Sequence, residues 1–156
     1  MSNTNCVSRK TGPSLRHRTL SASTADRPTP TDEVVRQFLG TWRLVGFSQN
    51  GQPHPAYGGA PSGTIRYESD GRMAVQIMPD AALISKSAGS VPGYIAYFGA
   101  YRIDPQAKTV AHERIGNVST GEPRTVLRHY EFLPDDRLAL TLDEDATAQV
   151  LWQRVQ

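Results

Sequence analysis

The sequence predicts an all-β domain: an eight-stranded antiparallel up-and-down barrel with a short N-terminal helix and a helical or irregular lid between strands three and four. Three observations carry that expectation. From Gly40 onward apolar and polar residues alternate in short runs; the runs are separated by turn chemistry such as Asn50-Gly51, Asp70-Gly71 and Asp104-Pro105; and eight of them have strand length. Eight strands close into a barrel whose interior just holds side chains or one small ligand.

The elements follow in order. Thr31 offers an N-cap, Asp32 and Glu33 lie in the first turn where the dipole favours acids, and Gly40 supplies a stop, so a helix is expected over 32–39. Strands are expected near 40–49, 62–69, 72–79, 99–104, 108–115, 124–133, 137–142 and 149–155. The connection from Asp80 to Phe98 is too long for a hairpin and is expected to cover one barrel mouth. The hairpin around Asp70-Gly71 can be set in register. A two-residue loop would oppose Tyr67 to Ala74 and mix polar with apolar partners. A three-residue loop, Ser69-Asp70-Gly71 with Gly71 left-handed, pairs Tyr67 with Met73 and Ile65 with Val75. Arg66, Glu68 and Gln76 then face outward.

Residues 1–31 read as a disordered basic Ser/Thr/Pro-rich tail ahead of a single barrel domain, 32–156. An acid-free start rich in Arg and Ser also fits a transit peptide, although no amphipathic stripe supports one. Four of the 17 basic residues, and none of the 15 acidic ones, fall in positions 1–25, so the net charge of +2 belongs to the tail. The body is slightly acidic and lacks nucleic-acid-binding motifs, which argues against such a partner. Cys6 is the only cysteine, so no intrachain disulfide forms. With no membrane-length apolar run and no secretory signal, the expectation is a cytoplasmic protein that does not enter membranes.

The segments "FLGTWRLVGF", "GTIRYESDGRMAVQIMP", "GYIAYFGAYRID", "TVAHERIGN" and "VLWQRV" together resemble the lipocalin-like domain family, a calycin-type β-barrel, over about residues 32–156. The resemblance implies that Trp42, at the closed end beneath the helix, packs against Arg154 from the last strand as a structural pair. A guanidinium stacked on an indole is worth about 1–2 kcal/mol when partly desolvated.

Strand parity turns Trp42, Leu44, Ile65, Tyr67, Met73, Val75, Tyr101, Ile103, Val110, His112, Val126, Arg128, Tyr130, Phe132, Leu138, Leu140 and Trp152 inward. Polar residues in that set need a ligand or each other, because an unpaired buried polar group costs about 1–3 kcal/mol. His112 could move a proton or be a core histidine bonded to a tyrosine. Arg128 could hold a carboxylate or enolate, or close an internal ion pair. With Tyr101 they form the candidate catalytic set. Tyr67, Met73, Val75, Tyr97, Tyr130 and Trp152 are the candidate ligand-binding wall. Tyr94, Tyr97 and Phe98 could gate the mouth or simply pack the lid. A β-bulge at Gly99 or Gly116 would move one of these strands out of parity.

His54 on a turn and His129 facing outward leave no three-ligand zinc site, and no dinucleotide, phosphate-loop or nucleophile motif occurs. Neither metal nor cofactor is expected. Two functions remain in front: small-molecule binding of an apolar or polyketide-like ligand, and a cofactor-independent cyclase or isomerase of secondary metabolism using the same cavity. A packed barrel serving as an interaction module is the third.

Overall fold

The computed structural model describes residues 29–85, 93–119, 121 and 124–156. The expected tail therefore lies, up to residue 28, outside the described residues.

Helix α1 (Pro30–Phe38) begins two residues earlier than expected. Its N-cap is Thr29 rather than Thr31, because Thr29 closes a capping box with Asp32 and Pro30 fits the first helical position, where no amide donor is needed. Only Phe38 on this helix is buried, and it plugs the barrel. Its ring meets Tyr67, Tyr130 and Phe132 edge-on at centroid distances of 5.1, 5.0 and 5.1 Å. Burying such a side chain stabilises by about 2–3 kcal/mol before the aromatic contacts are counted.

The sheet comprises β1 (Gly40–Gln49), a two-residue β2 (Gln52–Pro53), β3 (Ser62–Tyr67), β4 (Arg72–Met78), β5 (Ile95–Asp104), β6 (Thr109–Asn117), β7 (Thr125–Leu133), β8 (Arg137–Leu142) and β9 (Ala148–Arg154). From β3 on, each strand pairs antiparallel with the next; β1 pairs with both β3 and β9, so eight strands close a barrel while β2 only extends one end of β1. The β3–β4 register opposes Tyr67 to Met73 and Ile65 to Val75, with Gly71 at φ 83° in the loop. Apolar partners thus share one face, and no one-residue slip could preserve that.

The connection between β4 and β5 carries a four-residue helix, α2 (Ala81–Ile84), capped by Asp80; residues 86–92 lie outside the described set. Strand β5 starts four residues earlier than expected, because pairing with β4 continues through Val75↔Tyr97 to Ile77↔Ile95. Tyr97 is consequently a wall residue facing inward, whereas Phe98 faces outward at 57% exposure. Tyr97 and Phe98 therefore do not form a common gate.

Two bulges set which residues reach the interior. In β1 the pairing with β9 slips between Leu44 and Gly46, leaving Val45 extra; this brings Phe47 inside although it lies three positions beyond Leu44. In β6 Ile115 is extra, since Gly99 pairs with Arg114 and Phe98 with Gly116. A Cβ on Gly99 would lie 1.8 Å from the Glu113 carbonyl oxygen, so only glycine allows that approach. The slip falls after Arg114, and Val110, His112 and Arg114 all face inward.

Candidate functional site

The two ends of the barrel receive different side chains. At the closed end the Trp42 Nε1–H donates to the Phe38 carbonyl at 2.8 Å. The Arg154 guanidinium lies 4.1 Å from the Trp42 ring centroid and donates to the carbonyls of Leu39 and Gln37, each at 2.7 Å. It thereby satisfies two of the orphan carbonyls at the C-terminus of α1.

Towards the other end lie two spaces. An inner cavity of about 50 Å³ is lined mainly by apolar residues of β1, β3, β4, β5, β8 and β9, among them Phe47, Ile65, Val75, Leu140 and Val150, together with Tyr97, His112, Arg128 and Trp152. A vestibule of about 770 Å³ shares Phe47, Ile95, Tyr97, Arg128 and Leu142 with it, and adds His54, Tyr57, Arg114, Val126, Asp143 and Glu144. The β1–β3 loop forms part of the vestibule rim. Tyr57 stacks on Phe47 at 4.4 Å and His54 lies 4.6 Å from the same ring.

His112, 1% exposed, sits between two tyrosines: the Tyr67 hydroxyl is 2.8 Å from Nε2 and the Tyr97 hydroxyl 2.8 Å from Nδ1. Burial, reinforced by the positive charges of Arg128 and Arg114, pushes its pKa down to about 3, so the ring is neutral at physiological pH. A neutral imidazole has one donor and one acceptor. Among the described residues the Tyr67 hydroxyl has no second partner, so its proton must go to Nε2 or be stranded in the core. Nδ1–H then donates to the Tyr97 oxygen. Burial pushes the Tyr67 phenol well above its ordinary range, which keeps it a donor.

Arg128 extends to the mouth, where Nη1 donates to both carboxylate oxygens of Glu144 at 2.7 and 3.0 Å and to the Leu127 carbonyl at 2.9 Å. Of the two side chains Arg128 is 14% exposed and Glu144 56%, so the ion pair belongs to the rim. Tyr101 turns away from both: its hydroxyl donates to the Glu68 carbonyl at 2.9 Å and its ring packs edge-on against Tyr67. Burial raises its pKa, and it does not line the inner cavity. The expected convergence of Tyr101, His112 and Arg128 is therefore corrected to His112 and Arg128 alone, because the Tyr101 side chain reaches the hairpin backbone at Glu68 first.

Of the expected wall, Val75, Tyr97 and Trp152 line the inner cavity; Tyr67 stands behind His112; Tyr130 packs on Phe38; and Met73 is buried without lining the cavity. Trp152 is 1% exposed, and its Nε1 is a buried donor without a partner among the described residues. Arg114 continues the Val110–His112 parity, its guanidinium 5.4 Å from the Tyr97 ring centroid. That period-two step was present in the sequence. Phe47 was concealed by the bulge, and Tyr57 by lying in a loop. Among the described residues no three His, Cys, Asp or Glu side chains gather where they could hold a metal ion.

The sequence profile of the lipocalin-like domain matches residues 39–155. The chain belongs to the lipocalin-like domain family. No curated protein and no solved structure matches the chain significantly. For a lipocalin-like barrel, the buried aromatic cluster found here is consistent with small-molecule binding. No helix among the described residues is long and apolar enough to cross a membrane.

Proposed function

We propose that this barrel binds a small, largely apolar molecule, with a polyketide-like compound as one fitting class. The observation that carries the reading is the apolar inner cavity opening towards a wider vestibule in a barrel that is otherwise closed and packed. An interaction module needs only a filled core, and unfilled apolar space in a core forfeits dispersion contacts. A concave, mostly apolar site with a few placed polar groups is what small-molecule recognition uses.

The cyclase or isomerase reading needs a group that takes up and gives back a proton near neutral pH. His112 is held neutral with both nitrogens already bonded, Tyr101 is turned to the backbone, and the Arg128 charge is met by Glu144. Passive binding requires none of them to change partners, so it is the reading supported best.

Native mass spectrometry of the freshly purified chain, with and without a competing apolar fluorophore, tests it. The expected result is a copurified small molecule, or saturable fluorophore binding that a Val150→Phe substitution in the inner cavity weakens. Absence of both would reject the binding reading. Chemical conversion of the bound molecule, lost in His112→Phe, would replace it with the enzymatic one.

A further inference from the structure

The polar side chains that line the inner cavity differ in how they are met. His112 is bonded at both nitrogens and Arg128 donates to Glu144 and to the Leu127 carbonyl, whereas the Trp152 indole N–H can only donate. The carboxylates of Asp143 and Glu144 are confined to the vestibule. That donor is conspicuous: Trp152 Nε1 is buried with no partner among the described residues, although a buried unpaired donor carries a desolvation penalty that folded proteins avoid.

From this we propose that the inner cavity recognises a carbonyl-type oxygen at one end of an apolar ligand, with Trp152 Nε1–H as its specificity-determining donor. The inference rests on the binding reading above and adds the ligand's chemistry and orientation. An inner space of about 50 Å³ admits only a small head, whereas the vestibule of about 770 Å³ has room for a body. The ligand therefore enters oxygen first. Its apolar remainder lies against Phe47, Tyr57 and Val126 at the mouth. A hydrocarbon of the same shape would leave the indole donor unmet, and so binds more weakly.

The experiment uses matched probes on the full chain. 2-Acetylnaphthalene presents a ketone oxygen, 2-isopropenylnaphthalene replaces that oxygen with a CH2 group at nearly constant shape, and 2-naphthoate presents a carboxylate. Affinities are measured by titration, and the two indole N–H resonances are followed in a ¹⁵N-correlated NMR spectrum. The ketone is expected to bind about tenfold tighter than the alkene, as one satisfied buried donor implies. It should also move the Trp152 indole resonance downfield while leaving that of Trp42, already bonded to Phe38, in place. In Trp152→Phe the ketone and alkene should bind alike. A Trp152 shift with naphthoate as well would assign carboxylates to the same donor. If ketone and alkene bind wild-type protein equally, or the Trp152 resonance does not respond, the oxygen-recognition inference is overturned while the binding barrel stands. Binding of none of the three overturns both. The NMR readout needs no variant, so a misfolded Trp152→Phe would not shield the inference.

Discussion

The closed end of this barrel and the cavity that leads from it to the mouth use the same residue types to opposite effect. At the closed end an arginine, Arg154, is met by an indole face, two backbone carbonyls and, at 3.8 Å, the Asp136 carboxylate, and a tryptophan, Trp42, gives its N–H to a third carbonyl. At the mouth an arginine, Arg128, is met by a half-exposed carboxylate and the Leu127 carbonyl, and at the floor of the inner cavity, opposite Leu44 and Leu138, a tryptophan, Trp152, keeps a buried N–H without a partner among the described residues. Where the donors are met within the protein, the residues hold the fold. Where a donor is left over beside a cavity, the proposed reading assigns it to a ligand. On that proposal stability and selection are separated along one barrel axis, and substitutions at the two ends should separate them in measurement.

The largest effect belongs to the plug. Phe38→Ala would remove three edge-on ring contacts and leave a void beneath α1. A loss of about 3–5 kcal/mol in unfolding free energy is expected by denaturant titration. Affinity for an apolar probe, measured where the variant is still folded, should change little. An equal loss of probe affinity would break the division between the ends.

His112 lies between the two ends, and acid should reveal it. Its folded pKa of about 3 is depressed relative to the ordinary imidazole value of 6.5. The stability tied to its neutrality is therefore fully present above about pH 6.5 and is lost as pH falls towards 3. Each pH unit inside that window costs at most about 1.4 kcal/mol, or roughly 2.7 kcal/mol by pH 4.5. Carboxylates titrate in the same range, so the contrast is with His112→Gln, whose stability should fall with pH by one proton fewer. Parallel profiles would show that His112 is not held neutral between Tyr67 and Tyr97.

Arg154→Ala comes next, with an expected loss of about 1–3 kcal/mol from the uncovered Trp42 ring and the released carbonyls of Leu39 and Gln37. Lysine at the same position should recover only part of it, since an ammonium cannot stack in plane and reach both carbonyls. Full recovery by lysine would mean that charge alone holds this end.

These ends were not equally legible in the sequence. Strand limits such as 40–49 and 137–142, and the Tyr67–Met73 register, followed from alternation and turn chemistry, both of which are local. The interior face of β6 followed too, as far as His112, and its parity continued to Arg114. Legibility stopped where geometry is non-local. The extra residue at Val45 that turns Phe47 inward has no mark in the alternation, because a bulge is decided by closure onto β9. Tyr101 was assigned the correct face but the wrong partner: parity gives the direction of a side chain, and only the position of the Glu68 carbonyl says where its hydroxyl ends. Trp152 was visible as wall, but a missing hydrogen bond cannot be read from a sequence.

The smallest expected effect on stability, and the sharpest test of the contrast, is Arg128→Met. The methionine keeps most of the apolar volume, and the lost ion pair is with a carboxylate that is 56% exposed. Solvent screening limits such a pair to about 1 kcal/mol or less. Stability should therefore move by under about 1 kcal/mol, against the larger loss for arginine removal at the closed end. Binding should respond in the opposite order. Arg128 lines both the inner cavity and the vestibule, so a carboxylated apolar probe should lose roughly five- to tenfold in affinity, while a neutral ketone loses little. In Arg154→Ala neither probe should weaken once unfolding is accounted for. If instead Arg128→Met destabilised the fold as much as Arg154→Ala and left both affinities intact, the two arginines would be equivalent struts. The mouth would then hold structure rather than select a ligand.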